Sequence, residues 1–168
     1  MTDIKFGTDG WRAIIAKEFT TDNVARVSLG VANFLNEKNE NPSVVIGHDC
    51  RFAGELFAET AAKVLATKGV KVLLAKDFVS TPMVSLGVIN YKSNIGVVIT
   101  ASHNPPSYNG YKLKGDFGGP LLSHDITDVE NRIPDCNSID INSIKIDDLI
   151  ESGMIKYIDL EDDYSKHA

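Results

Sequence analysis

The segment 100–110 has the residue types of a reactive loop. It reads Thr-Ala-Ser-His-Asn-Pro-Pro-Ser-Tyr-Asn-Gly, so that Ser102 lies directly beside His103. Two prolines stiffen the residues that follow, and Lys112 and Lys114 come just beyond the segment. A rigid loop that presents one hydroxyl among cations suits a phosphoryl acceptor, because fixed donors must stabilise the charge of the transferred group.

Two other interpretations of this segment follow from its residue types. Ser, His, Asn and Pro all favour turns for local reasons, and composition alone favours a hydrogen-bonded turn over a reactive site. A serine hydrolase is less consistent with the sequence, because the Gly-x-Ser-x-Gly motif is absent. Apart from the near-terminal His167, nothing downstream suggests an acid–histidine pair.

A second unusual segment lies near the start of the chain, at 6–12, and reads Phe-Gly-Thr-Asp-Gly-Trp-Arg. Two glycines flank Thr-Asp and permit sharp backbone excursions. The guanidinium of Arg12 has the planar donor geometry that binds phosphate through two hydrogen bonds. The simpler interpretation is a glycine turn followed by a surface arginine.

Composition excludes several classes of protein. The chain has 168 residues, of which 43% are hydrophobic and 24% are charged, as in an ordinary globular domain. No apolar run approaches the roughly 20 residues of a membrane span, and the N-terminus does not resemble a signal peptide. The formal charge of −6 comes from residues 135–168, which disfavours nucleic acid or anionic lipid as a partner. The two cysteines, Cys50 and Cys136, fit reduced thiols in a cytoplasmic protein.

Hydrophobic patterning predicts an α/β domain in the first hundred residues. Short, continuously apolar runs of β-branched residues are typical of strands that are covered on both faces, and helical spacing separates them. The predicted elements are a helix capped by Thr20 and ending near Lys38, a strand at 43–47, a polar loop at 48–54, a helix ending at Gly69, a strand at 70–75, a helix opened by Ser80-Thr81-Pro82 and ending near Asn90, and a strand at 95–99. Strands and helices in this alternation favour a mostly parallel sheet.

The pattern changes after residue 99. Asn109-Gly110 indicates a tight turn, and the alternation in 111–114 is typical of a half-exposed antiparallel strand. Helices are predicted at about 123–132 and 146–151, and a short strand at 155–158. Acidic residues from Asp159 onward suit the first turn of a helix that is left incomplete, as expected if the chain is a fragment.

We therefore predict one three-layer α/β/α domain over residues 1–168, with a mixed, mostly parallel sheet carrying one antiparallel strand. In such sheets ligands collect at the carboxyl ends of the strands. The loops 48–54 and 100–109 both fall there.

Taken together, these motifs resemble a known family. The 6–12 segment, Gly47-His48-Asp49-x-Arg51, Ser80-Thr81-Pro82, and the 100–106 loop with Asn109-Gly110-x-Lys112 are similar, in this order, to the first domain of the α-D-phosphohexomutases. This is the phosphoglucomutase/phosphomannomutase superfamily, whose members interconvert hexose 1-phosphate and hexose 6-phosphate through a bisphosphorylated intermediate. The resemblance covers nearly the whole chain and reverses the preference for a simple turn at Ser102.

The resemblance implies a role for individual residues. Ser102 would carry the phosphoryl group as phosphoserine, His103 and Lys112 would support acid–base chemistry or the transition state, and Arg12 would lie near the transferring phosphate. Residues expected to support the phosphate loop are Asn104, Thr100, Asp49 and Arg51, together with His48 as a shaping residue. Lys114 lies outside the motif and is expected to be an exposed strand lysine.

The resemblance also implies groups outside this chain. Mg²⁺ is expected as a cofactor, with the phosphate on Ser102 as one ligand and the remaining ligands in an absent domain II. A hexose phosphate is the expected substrate, glucose 1,6-bisphosphate the activator, and domains II–IV of the same polypeptide the partners. The isolated fragment is then expected to be nearly inactive and to expose an apolar patch through which it self-associates.

Two alternatives stay open at this point. One is the first domain of a phosphoglucosamine mutase, since the sugar is selected mainly outside this segment. The other is a stand-alone phosphosugar-binding module without catalysis.

Overall fold

Apolar residues on both faces of the central strands build a six-stranded sheet. The structure is a computed structural model and describes all residues from Met1 to Ala168. The strands are β1 (Trp11–Ile14), β2 (Ser43–His48), β3 (Lys71–Ala75), β4 (Ile95–Ile99), β5 (Tyr108–Gly115) and β6 (Ile155–Ile158). The helices are α1 (Thr21–Lys38), α2 (Gly54–Thr67), α3 (Thr81–Asn90), α4 (Ser123–Asn131), α5 (Ile146–Glu151) and α6 (Leu160–His167), with a short 3₁₀ turn at Ile141–Ser143.

The order of strands in the sheet is β1-β5-β4-β2-β3-β6. Strands β4, β2, β3 and β6 are mutually parallel, whereas β5 pairs in the antiparallel sense with both β4 and β1. One strand, β5, therefore runs against the other five. The prediction of a mixed, mostly parallel sheet with one antiparallel strand is confirmed.

Helices cover both faces of the sheet and make three layers. In β2, Val44 and Ile46 pack into the larger core with α1 and α2. Val45 points to the opposite face and packs with Val84 and Val88 of α3. The continuous apolar run in β2 thus reflects burial on both faces, as the sequence predicts.

Helix ends follow the predicted capping chemistry at two of three sites. The Thr20 side chain accepts a hydrogen bond from the Asn23 N–H, and Gly69 adopts φ +84° just after α2. Ser80 precedes α3, but its hydroxyl makes no capping hydrogen bond. That part of the prediction is wrong; Pro82 in the first turn already removes one N–H group that would need a partner.

The predicted turn at Asn109-Gly110 is also wrong, because both residues lie inside β5. The chain reverses earlier, in the loop 101–107, so β5 begins beyond the carboxyl end of β4. A Cβ on Gly110 would lie 2.4 Å from the Thr100 carbonyl oxygen. Glycine is needed here for the close approach of two backbones.

Strand β1 was not anticipated, since the 6–12 segment predicts only a glycine turn. It pairs with the part of β5 that extends past β4: Arg12 lies opposite Gly110, and Ile14 lies opposite Tyr108. Four residues with an arginine among them carry a weak strand signal. The overhanging edge of β5 supplies the partner that makes them a strand.

The later elements agree closely with expectation. Helices α4 and α5 and strand β6 form at the predicted positions, and Asp159 caps α6 by accepting a hydrogen bond from the Asp162 N–H at 3.0 Å. Leu160 of α6 is buried against α3 near Gly87. Both cysteines are exposed and form no disulfide. None of the helices has the length and apolar character needed to cross a membrane.

Several large apolar side chains are exposed, and four of them lie in two pairs. Phe52 and Phe78 lie in loops at the carboxyl edge of the sheet, and Ile89 and Phe117 lie near the far end of α3. Self-association through such residues stays a prediction.

The Tyr111–Ser28 hydrogen bond offers a test of how β5 is attached to α1. Both side chains are fully buried and their hydroxyl oxygens are 3.0 Å apart. Tyr111→Phe and Ser28→Ala should each lower the free energy of unfolding by about 1–2 kcal/mol, because each removes one hydroxyl and leaves the other buried without a partner. The double variant should cost less than the sum of the two by about 1 kcal/mol, measured by urea denaturation. Strict additivity would show that the hydroxyls contribute independently.

Candidate functional site

The two polar loops that follow β2 and β4 meet at the carboxyl edge of the sheet. Between them lies a shallow open cleft of about 430 Å³. Its lining residues are Asp49, Cys50, Arg51, Phe52, Ser102, Asn104 and Pro106. In parallel sheets ligands bind at the carboxyl ends of the strands, and the cleft lies there.

Ser102 is exposed and held in an unusual backbone conformation. Its φ is +53°, in the left-handed region that residues other than glycine seldom adopt. The Ser102 N–H donates to Thr100 Oγ1 at 3.0 Å, and the Ser102 carbonyl accepts from Arg51 at 2.8 Å. The hydroxyl has no hydrogen-bond partner within the chain.

The loop 101–107 carries Ser102 and is termed the serine loop; the Arg51 side chain fixes its shape. One of its terminal nitrogens donates to the carbonyls of Pro105 and Tyr108, at 2.9 and 3.0 Å. The other donates to the carbonyls of Ser102 and Asn104, at 2.8 and 2.6 Å. Four backbone carbonyls thus converge on one planar cation, a geometry that a lysine ammonium does not reproduce.

Asp49 supports both Arg51 and the serine. Its Oδ1 accepts from the Arg51 N–H at 3.0 Å, and its Oδ2 lies 3.6 Å from Arg51 Nε. The Thr100 hydroxyl donates to the same Oδ2. Since Thr100 in turn accepts from the Ser102 N–H, a hydrogen-bonded chain runs from Asp49 through Thr100 to Ser102. Three predicted support residues, Asp49, Arg51 and Thr100, are therefore brought together.

The opposite side of the loop is held by the beginning of β1. Arg12 lies level with Gly110, one position past the end of β4, which places its side chain beside the serine loop. Arg12 Nη1 donates to Asn104 Oδ1 at 2.6 Å. The N-terminal motif thus contacts the serine loop directly through Arg12.

Lys112 reaches the same place from β5. Alternation along this strand directs Tyr111 and Leu113 into the main core and puts Lys112 on the other face, with Arg12. Lys112 Nζ donates to Asp9 Oδ2 at 2.6 Å, and Arg12 Nη2 donates to the same oxygen at 3.3 Å. The lysine side chain is only 7% exposed, so Asp9 is the counter-ion that a buried ammonium requires.

Asp9 was not among the predicted site residues. Partial burial acts to raise the pKa of its carboxyl, but the hydrogen bond and charge of Lys112, with the charges of Lys114 and Arg12, outweigh burial and lower it. An acidic residue between two glycines, three positions before Arg12, was the signal available in the sequence. Its partner, Lys112, is 103 positions away.

Lys114 is buried, which corrects the expectation of an exposed strand lysine. Its exposure is 8%, and no carboxylate lies within ion-pair distance of its ammonium. The residue is buried because β5 is an interior strand: the Lys114 Cβ packs against Gly96 of β4, close to Val88 of α3. Burial lowers the pKa of Lys114; the nearby Asp9 carboxylate opposes this effect, and the Lys112 charge adds to it.

The two histidines differ in environment. His103 is exposed beside Ser102 and makes no hydrogen bond. His48 is buried at the end of β2, where its Nδ1 donates to the Asp49 carbonyl oxygen at 2.8 Å and Phe78 packs edge-on against the ring. His48 therefore supports the loop from within the domain.

The residues of this chain do not fit a Mg²⁺ site. No group of three or more His, Cys, Asp or Glu side chains is arranged to hold a metal ion. The two carboxylates of the site already serve other partners, since Asp9 pairs with Lys112 and Arg12 and Asp49 pairs with Arg51 and Thr100. Hard, six-coordinate Mg²⁺ prefers oxygen ligands that are free to coordinate it.

Comparisons with known proteins agree with this geometry. Residues 3–139 match the family described as phosphoglucomutase/phosphomannomutase, alpha/beta/alpha domain I. A phosphoglucomutase of Staphylococcus saprophyticus is 35% identical over 164 residues, covering 94% of this chain and 29% of that protein. A phosphoglucomutase of Staphylococcus aureus strain RF122 is 34% identical over 175 residues, covering 98% of this chain and 30% of that protein. This chain thus spans about 30% of the length of these relatives.

Solved structures show the same fold. A Thermus thermophilus protein assigned provisionally as a phosphomannomutase superposes with a TM-score of 0.86 at 35% identity, covering 97% of this chain and 35% of that one. A phosphoglucomutase/phosphomannomutase family protein of Burkholderia thailandensis, at 20% identity and a TM-score of 0.72, covers 98% of this chain and 35% of that one. With the fold, the serine loop and its cations described, the matches lead to one conclusion: the chain belongs to the phosphoglucomutase/phosphomannomutase family, and residues 3–139 correspond to its α/β/α domain I.

Proposed function

We propose that this chain is the phosphoryl-carrying first domain of a phosphohexomutase. In this proposal Ser102 holds the phosphoryl group as phosphoserine and exchanges it with a hexose phosphate, glucose or mannose, bound by further domains of a longer polypeptide. The observation that carries the proposal is the exposed Ser102 hydroxyl, which makes no hydrogen bond within the chain and lies at φ +53° on a loop fixed by Arg51. Arg12 contacts the same loop through Asn104, and Asp9 links Arg12 to Lys112.

The proposed reaction is a pair of phosphoryl transfers. A sugar hydroxyl oxygen bonds to phosphorus, the bond from phosphorus to Ser102 Oγ breaks, and the hydroxyl proton passes to a base. The sugar bisphosphate then returns its other phosphoryl group: Ser102 Oγ bonds to phosphorus and the bond from phosphorus to the sugar oxygen breaks. The proton of the Ser102 hydroxyl passes to that sugar oxygen, and phosphoserine is regenerated. Glucose 1,6-bisphosphate, the expected activator, would load the serine by the second of these steps.

Roles for the surrounding side chains follow from their contacts. Arg12 and Lys112 are held in place by Asn104 and Asp9, so they are fixed cations for the charge on the three transferred oxygens. His103 is adjacent to Ser102 and free of hydrogen bonds, which suits it to proton transfer. Thr100, Asp49 and Arg51 keep the serine loop in one conformation before substrate arrives, which reduces the entropic cost of reaction.

Mg²⁺ is part of the proposal only as a group held largely outside this chain. A phosphate on Ser102 would supply one oxygen ligand, and no side chain of residues 1–168 is arranged to complete the set. The isolated chain is accordingly expected to turn over hexose phosphate very slowly. We infer a cytoplasmic location from the reduced, exposed thiols of Cys50 and Cys136.

The first test asks whether Ser102 accepts a phosphoryl group. The chain is incubated with glucose 1,6-bisphosphate and its intact mass is measured, alongside Ser102→Ala and the matched control Ser107→Ala from the same loop. The parent and Ser107→Ala should gain the mass of one phosphoryl group and Ser102→Ala should gain none, since Ser102 lines the cleft and Ser107 does not. Phosphorylation of Ser102→Ala would contradict the assignment, and no gain in any folded variant would contradict acceptance by this chain alone.

The second test concerns Arg51. Arg51→Lys keeps the charge but loses the fork of donors to four carbonyls, so we expect unfolding to become easier by about 2 kcal/mol in urea denaturation. Phosphorylation of Ser102 should slow by about tenfold or more, because the loop no longer holds the serine in its reactive conformation.

Arg132→Lys is the matched control for this substitution. Arg132 pairs on the surface with Glu37 and Asp128, where the same exchange should leave the free energy of unfolding nearly unchanged, because exposed ion pairs contribute little. Equal effects of the two substitutions would show that the carbonyl contacts of Arg51 do not matter.

A further inference from the structure

A single carboxylate oxygen, Asp9 Oδ2, lies where the Lys112 ammonium and the Arg12 guanidinium converge. Lys112 Nζ donates to it at 2.6 Å and Arg12 Nη2 donates to it at 3.3 Å. Lys112 makes no other hydrogen bond, and the second terminal nitrogen of Arg12 is already bound to Asn104 in the serine loop. Convergence of an ammonium and a guanidinium on one anionic oxygen is the arrangement that a phosphoryl oxygen would receive.

We propose that Asp9 is the resident anion of this cation pair and exchanges with a phosphoryl group that arrives at Ser102. The proposal deepens the proposed function and rests on it. When Ser102 carries no phosphoryl group, the Asp9 carboxylate neutralises Lys112 and Arg12. When the phosphoryl group is present, its oxygens take over these donors and Asp9 turns outward to solvent.

The backbone around Asp9 is built for such a movement. The Asp9 side chain is 46% exposed, whereas that of Lys112 is 7% exposed, so the carboxylate has a path to water and the ammonium does not. Asp9 lies in a short turn between Gly7 and Gly10, closed by one hydrogen bond from the Gly7 N–H to the Gly10 carbonyl at 3.1 Å. Glycines at both ends provide the backbone freedom that a hinge requires.

The same turn explains why Asp9 reaches the cations at all. Gly10 has φ +97°, and a Cβ at this position would lie 2.7 Å from the Tyr111 carbonyl oxygen. The absence of a side chain therefore lets the turn lie directly over β5, next to Lys112.

Charge balance gives the exchange a purpose. Without Asp9, three positive charges would lie together with no counter-ion, because Lys114 has no ion pair of its own. These charges belong to Arg12, Lys112 and the nearby buried Lys114. Asp9 keeps Lys112 paired while the serine is free. Because a phosphate must displace the Asp9 carboxylate, this carboxylate also lowers the affinity of the site for free inorganic phosphate. The site is then not occupied by an inorganic anion in place of a substrate phosphoryl group.

The test uses inorganic phosphate as the probe and the chain as it stands. Binding is followed by NMR titration at pH 7 and constant ionic strength for the parent, Asp9→Asn and Asp116→Asn. Asp116 is exposed at the far end of β5 and has no ion pair, so its substitution makes the same change in net charge away from the site. Asp9→Asn should bind phosphate about tenfold more tightly than the parent, and Asp116→Asn should bind as the parent does.

Two further measurements separate exchange from a general charge effect. In the parent, saturating phosphate should shift the ¹³C resonance of the Asp9 carboxyl carbon, because that group loses its two donors. In a Lys112→Met background, phosphate should bind weakly and the Asp9→Asn gain should disappear. The carboxyl measurement needs no Asp9 variant and decides the question even if Asp9→Asn folds poorly.

Several results would overturn the proposal. The first is phosphate binding by Asp9→Asn that is equal to or weaker than binding by the parent. The second is a gain in phosphate affinity in Asp116→Asn equal to that in Asp9→Asn. The third is an unchanged Asp9 carboxyl resonance in the phosphate-bound parent. Failure of the proposed function is distinguishable, because Ser102→Ala keeps Asp9, Arg12 and Lys112. An Asp9 response in Ser102→Ala, combined with no phosphorylation of Ser102 in the parent, would leave the exchange standing and remove the phosphoserine assignment.

Discussion

The reversed direction of β5 is the constraint on which the site depends. Because β5 runs against β4 and starts beyond its carboxyl end, the loop between them must turn back over the edge of the sheet, and this loop carries Ser102. The overhanging residues of β5 provide an edge for β1, which brings Arg12 level with the serine loop. The same strand delivers Lys112 to the face that Arg12 occupies. A parallel strand in this place would start at the opposite edge of the sheet and would supply none of these contacts.

Two carboxylates organise the charged groups around that strand. Asp49 orients Arg51 and, through Thr100, the backbone of Ser102, so it acts on the shape of the loop. Asp9 pairs with Lys112 and Arg12, so it acts on the cations that face the loop. Each carboxylate is surrounded by donors, which leaves the positive charge of the site in excess and suits it to a phosphoryl group.

Much of the fold could be predicted from local patterns. The apolar runs of β2, β3 and β4 are long enough to identify buried strands, and Thr20 and Gly69 identify helix ends by local chemistry. Apart from the missing Ser80 cap, which has a local explanation in Pro82, the errors arose where a long-range partner decided the outcome. Asn109-Gly110 has the composition of a hairpin turn but lies within β5, and β1 forms only because β5 offers it an edge.

The residue types of the site could also be identified from the sequence, whereas their contacts could not. A serine beside a histidine, a proline-stiffened loop, an arginine after a glycine turn and a lysine on an alternating strand are local features of the sequence. One by one they are equally consistent with simple turns, and it was their order along the chain, as a family resemblance, that indicated phosphoryl transfer. Tertiary structure alone decided that Asp9 pairs with Lys112, that Arg51 binds four carbonyls of the serine loop, and that Lys114 is buried. The physical reason is that hydrophobic periodicity and turn propensity act over a few residues. Ion pairs and burial depend on which distant segments the strand order and register place side by side.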